Sequence, residues 1–416
     1  MPKTQHRSRA ARFGLTVKRH PARVAFIQWS MVALYFFLLF APIVLALAPQ
    51  DFTVTKDLHL LSLFVFWGFG WPLILLATML FGRIWCGFLC PDGTLTEIIS
   101  RHGQKRSIPR WIRWPGWPCL TLAAYILLFF CSDASRHHPA TVLLLGSLTL
   151  GAALTGFLYG KGRRIWCMYL CPTNAVFTFL ARLSPFHFRV DPEKWDTYQG
   201  PHERINCAPL INIKQMKSTS ACHACARCSG YRDAVELATR SPAHEILSDA
   251  PGKTRTLSAV TFLFVVTGMG TAVFLPDRFF APASANGIPA FLLWTLGSGL
   301  LLGSFLWVMI WLSYHIAASA ISSWQQLSLG IIPLTGTGLF LGATMFSLDF
   351  LQPGKGIMPA IQTLQQILLA AAWLSSLWLG WKSIVPKVTP RYLAALLLYT
   401  VAASVLAAIW GLSLWP

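Results

Sequence analysis

Nine long apolar runs constrain this chain more than any other feature: 24–48, 58–80, 114–132, 139–159, 257–275, 289–312, 327–348, 360–381 and 392–414. None carries an Asp, Glu, Lys or Arg in its interior. A helix needs roughly 20 apolar residues to cross bilayer hydrocarbon, where the backbone must satisfy its own hydrogen bonds. The expected fold class is therefore all-α integral membrane, with about nine transmembrane helices. Charged residues make up 12% of the chain, about half the share of a soluble domain.

The charges that remain are unevenly placed. With the N-terminus taken as cytoplasmic, 30 of the 34 Lys and Arg fall on inward segments. Only Lys56, Arg136, Arg278 and Lys355 fall outside. That asymmetry predicts a multi-pass protein of the bacterial inner membrane with its N-terminus in the cytoplasm. The net charge of +19 then reads as a topology signal and an attraction to anionic membrane lipid. Nucleic acid is not needed to explain it. The first run is too long for a signal-peptide core and lacks a small-residue cleavage site, so it reads as a retained anchor. Eight of the ten cysteines lie on the inward side, where thiols stay reduced, which favours metal or redox chemistry over disulfides.

Residues 1–23 read as a basic, disordered cytoplasmic tail, and 24–172 as duplicated membrane hairpins. Residues 173–256 read as a cytoplasmic iron–sulfur segment, and 257–416 as a C-terminal five-helix region. The iron–sulfur assignment rests on Cys222-His-Ala-Cys225-Ala-Arg-Cys228. C-x2-C-x2-C offers three sulfurs to one [4Fe–4S] cube, a commoner use of this spacing than zinc or incidental thiols. In bacterial ferredoxin repeats a fourth Cys-Pro follows. Here that position is Arg232, whereas Cys207-Ala-Pro209 lies upstream as a near match. The predicted ligand set is Cys207, Cys222, Cys225 and Cys228, with Arg227, Arg232 and Lys217 offsetting the cluster's negative charge.

A second cysteine pattern is repeated. Arg83–Pro91 and Arg164–Pro172 share R-I-W-C-x2-L-C-P, 81 residues apart, each after a span of the same direction. This is a duplicated two-helix unit, and parallel repeats predict two like halves about an axis along the membrane normal. Cys86, Cys90, Cys167 and Cys171 should then meet near one level at the inner surface. On a helix each pair shares a face, and Arg83, Arg163 and Arg164 should favour thiolate. Three functions fit: a second metal or cluster site, a redox dithiol, or a soft site for copper. The bland alternative is a packed helix-breaking turn. Cys119 and Cys131 read as core. His59, His137 and His138, near Asp57 and Asp133, read as interfacial rather than as a quinol or metal site. His315 alone makes no haem pocket.

Paired C-x3-C-P motifs at the inward ends of membrane hairpins, followed by a ferredoxin-like cysteine segment, resemble the NapH/NosR/CcoG group of membrane polyferredoxins. The resemblance covers roughly residues 24–235 and rests on Cys86, Cys90, Cys167, Cys171 and the 207–228 cysteines. It implies electron transfer at the inner membrane, serving periplasmic reductases in NapH- and NosR-like members and copper handling for oxidase assembly in CcoG-like ones. The sequence departs from the group in lacking a second ferredoxin cluster and a flavin-binding domain before the first span, and in carrying five further spans.

The expected function is an iron–sulfur electron carrier passing electrons between a cytoplasmic or quinone donor and a respiratory or periplasmic partner. No residue set suggests an acid–base or nucleophilic catalyst, so an enzymatic role would be that of an oxidoreductase subunit. The alternatives are a copper-handling assembly factor using the C-x3-C-P thiolates and, more remotely, a transporter. The spans lack the intramembrane charges that mark transport paths.

Overall fold

The computed structural model describes residues 8–46, 52–201, 205–216, 218–242, 244–248, 256–275, 287–317, 321, 323–354, 356–385 and 388–415. Seven of its helices are long and apolar enough to cross a membrane: Pro21–Leu45, Asp57–Phe81, His138–Tyr159, Pro289–Ile316, Trp324–Leu351, Met358–Ile384 and Pro390–Leu414. They coincide with seven of the nine expected runs. The other two runs form shorter apolar helices, Trp117–Cys131 and Thr256–Ala272. Pro115 delays the start of the first, since the residue before a proline is turned away from helical geometry. The second ends just before residues 276–286, which lie outside the described residues.

The chain divides into two compact units. The first comprises Met1–Val44, Ala77–Trp114 and Leu145–Pro242. Within it, strands β1 (Phe186–Val190) and β2 (Val235–Thr239) pair antiparallel, with Phe188 opposite Leu237 and Val190 opposite Val235. They clamp the ends of the cysteine segment over a small core of Phe188, Ala226 and Val235, against which Val17, Trp195, Ile213 and Tyr231 pack. The described part of the N-terminal tail, 8–23, is helical rather than the disordered segment its composition suggests. Arg9–Arg19 is a helix, capped by Ser8 accepting from the Ala11 amide and carrying Lys18 and Arg19 in its last turn, where the helix dipole favours cations. Burial explains the difference: Ala11 and Gly14 are covered, and Gly14 faces Ser229 and Leu237 so closely that a Cβ would meet both.

The second unit comprises Leu45–Leu76, Pro115–Leu144 and Ala243–Pro416. Helix Gly287–Ile316 packs on the wide helical turn Thr261–Met269 and on Pro390–Leu414, while Ile332–Leu351 packs on Phe64–Gly70 and Met358–Ile384. Small residues permit the close approach expected between helices in lipid. At Gly268 a Cβ would collide with the Gly299 carbonyl. Aromatic rings fill the rest: Phe129 meets Trp67, with centroids 4.5 Å apart, and Phe346, at 5.7 Å. The indole of fully buried Trp67 donates to Thr141 Oγ1 over 2.9 Å.

Candidate metal centre

Both cysteine sets lie in the first unit, and proline shapes one of them. Cys86 sits in a wide helical turn, Trp85–Leu89, but Cys90 is extended (φ −71°, ψ 118°) and its sulfur caps the next helix, accepting from the Gly93 amide at 3.4 Å. In the second repeat the helix Ile165–Tyr169 also ends before Cys171. The expected continuous helical face is therefore absent in both copies. Each second cysteine precedes a proline, which drives Cys90 into extended backbone.

The four repeat cysteines lie within electrostatic range of one another. Cys90 lies in the electrostatic field of Cys167, Cys86 and Cys171. Burial pushes the Cys90 and Cys167 thiols well above their usual range and Cys171 to about 11. At Cys90, Cys167 and Cys171 desolvation opposes the thiolate that neighbouring arginines are expected to favour. Arg163 is exposed, while Arg83 and Arg164 are 3% and 1% exposed. Arg83 donates to the Ser220 carbonyl at 3.0 Å and stands 3.8 Å from Cys86 Sγ. Sulfurs in this state take up a cation with loss of their protons.

Cys207, Cys222, Cys225 and Cys228 line one partly open pocket, together with His223, Arg227, Phe188 and Pro209. Cys207 is thus brought to the C-x2-C-x2-C loop from fifteen residues before it. The loop turns tightly because Ala224 and Ala226 adopt left-handed backbone (φ 50° and 57°), which costs about 1 kcal/mol or more per non-glycine residue. Strain of that kind persists where the surroundings enforce it, as at ligand clamps. The Ala224 amide donates to Cys222 Sγ at 3.4 Å. Burial pushes Cys222 up to about 12 and Cys228 well above the usual thiol range. Buried His223 is held neutral by desolvation and by Arg83, Arg164 and Arg227. Among the described residues no three His, Cys, Asp or Glu side chains converge closely enough for a single metal ion.

The two sets meet through backbone and charge. Gly87, between Cys86 and Cys90, faces the loop so closely that a Cβ would overlap the His223 carbonyl and lie 3.2 Å from the Cys225 nitrogen. Arg164 donates to the carbonyls of Cys86 and Gly87 and, from Nε, to Glu97 at 3.0 Å. Glu97 also holds Arg227, at 2.7 and 3.1 Å. Burial alone would raise the Glu97 carboxyl, but Arg227 and Arg164 more than reverse this and hold it below its usual range. Of the cations expected to balance a cluster, Arg227 is paired with Glu97. Arg232 lies 4.9 Å over the Trp195 ring, and Lys217 falls outside the described residues. A further, half-buried acid, Asp92, accepts from Thr149 at 2.7 Å, and desolvation raises it to about 6. Glu97 and Asp92 escaped the sequence reading, although they are the only acids in the otherwise basic stretch 81–113.

The comparisons fall on the same residues. Two segments, 63–109 and 142–191, match the model of a 4Fe-4S binding domain. These segments contain all four repeat cysteines, whereas Cys207–Cys228 lie beyond them. A protein of Escherichia coli (strain K12), provisionally named electron transport protein YccM, is 26% identical over 223 residues, 47% of this chain. The match covers 62% of that relative's length. No solved structure matches.

Proposed function

We propose that the chain is a membrane-bound one-electron carrier with two iron–sulfur stations. Cys207, Cys222, Cys225 and Cys228 would hold one [4Fe–4S] cluster, and Cys86, Cys90, Cys167 and Cys171 a second. The observation that carries this reading is the pocket lined by four cysteines from two separate stretches of chain. The 4Fe-4S domain match supports the second station. Bound clusters of this kind exchange single electrons. The chain's own residues supply the thiolates and set the charge around each station through Arg83, Arg164 and the Glu97–Arg227 pair.

We further infer nine crossings of a bacterial inner membrane, with both stations on the cytoplasmic side, as the Lys and Arg distribution supports. Exposed Trp111 and Trp114, beside Arg110 and Arg113, suit the headgroup layer. The natural partners would be a cytoplasmic or quinone donor and a respiratory or periplasmic acceptor, in keeping with the name of the Escherichia coli relative. Anaerobic purification should yield about eight iron and eight sulfide per chain, as two cysteine-ligated cubes require, with reduced-state signals in low-temperature EPR. A colourless protein binding stoichiometric zinc would overturn the proposal. Copper lost selectively on Cys86→Ser and Cys167→Ser would replace the second cluster with a copper site.

A further inference from the structure

Glu97 stands at a junction the electron-transfer reading does not by itself require. It lies on helix Pro91–His102, which begins at the proline following Cys90, so its backbone is tied to the first repeat. Its Oε2 accepts from Arg164 Nε at 3.0 Å, tying it to the second repeat three residues before Cys167. Both its oxygens accept from Arg227, which lies between Cys225 and Cys228 in the loop. Arg101 adds a third guanidinium, at 3.2 Å. Glu97 is 3% exposed and Arg164 1% exposed, while Arg227 and Arg101 reach solvent. One buried carboxylate therefore joins the two cysteine repeats to the separate cysteine loop.

We propose that Glu97 is a positioning residue that couples the two stations, holding the loop against the repeats and setting the reduction potential of both with one shared charge. The inference rests on the two-station reading above. Two effects make it physical. Charge near a cluster shifts its potential, because the reduced form carries one more negative charge. A charge buried between two stations acts on both, since low-dielectric surroundings screen it weakly. A carboxylate attached to one station alone would move one potential and leave the other.

The test is an EPR-monitored redox titration of the purified full-length protein. Glu97→Gln keeps the size of the side chain and removes its charge, so both signals should become easier to reduce. The expected shift is about tenfold in each reduction equilibrium, which is ~59 mV for a one-electron couple. Arg227→Gln alters a partly exposed side chain and should shift both signals the opposite way, which keeps the test decisive should Glu97→Gln fold poorly. The double variant restores the net charge and should bring both potentials back toward wild type. A purely structural role for Glu97 predicts no such return. Movement of only one signal, or of neither, in a protein whose wild type shows two signals overturns the coupling and leaves the two stations standing. A wild type with fewer than two iron signals overturns both.

Discussion

Arg164→Lys is the sharpest test of how the centre is held together, because it keeps the charge and removes the fork. Arg164 is 1% exposed and donates through three nitrogens: Nε to Glu97, Nη1 to the Cys86 carbonyl and Nη2 to the Gly87 carbonyl. A lysine ammonium is a point donor on a flexible stem and cannot reach the carboxylate and both carbonyls together. Two charge-assisted hydrogen bonds are therefore lost, at about 1.5–3 kcal/mol each. Some relaxation brings the expected loss to about 3–5 kcal/mol. The affected carbonyls belong to the Cys86–Cys90 turn, so local opening there should rise by roughly 10²-fold or more. Maleimide labelling of Cys86 and Cys90 in anaerobic, metal-free protein reads that opening, and thermal unfolding in detergent reads the global loss. The exposed neighbour Arg163→Lys serves as the control, expected within about 0.5 kcal/mol of wild type. Equal labelling rates in the two variants would refute the assignment of Arg164 as the clamp.

Three further outcomes follow from the same contacts. Cys207→Ser should abolish one of two EPR signals and lower iron by about half, as loss of one of two cubes requires; an unchanged spectrum would mean that a different donor, such as His223, completes the site. Gly87→Ala should push the cysteine loop off the first repeat at a cost of about 1–3 kcal/mol, seen as faster iron loss to a chelator from the Cys207–Cys228 station than in wild type. In the second unit, Trp67→Ala should destabilise by about 3–5 kcal/mol, read by thermal unfolding, with both iron signals intact.

Much of this architecture was legible because apolar length and charge placement act locally. Seven of nine expected spans appear almost residue for residue, since a run such as 392–414 has no other way to bury its backbone in lipid. The two that fall short lie beside prolines or at the edge of the described residues. The approach of the two repeats, with Arg164 of the second bonded to the Cys86 and Gly87 carbonyls of the first, was readable from duplication. Their conformation was misread, because helical spacing was applied across Cys90-Pro91 and Cys171-Pro172, where the following proline opposes it. Counting arginines also leaves out desolvation, which pushes the Cys90 and Cys167 thiols up. Glu97 was invisible because its partners, Arg164 and Arg227, lie 67 and 130 positions away. Only the fold makes them neighbours.

The duplication also explains why two equivalent arginines do different work. Arg83 and Arg164 open the two copies of the same nine-residue motif, and both are buried. A scaffold with strict two-fold symmetry would give them the same partners. The single cysteine loop breaks that symmetry, because it can approach only one copy in a given way. Arg83 is turned to the Ser220 carbonyl at the entrance to the loop. Arg164 is turned to the first repeat and to Glu97. Loss of Arg83 should therefore loosen the Cys222 end of the loop and spare the contact between the repeats, whereas loss of Arg164 should do the reverse. Hydrogen exchange at residues 218–226 against residues 84–90 separates the two. Arg83→Gln should accelerate the first stretch and Arg164→Gln the second. Identical exchange patterns in the two variants would mean that the motif's arginine serves only generic charge balance and that the loop docks by its cysteines alone.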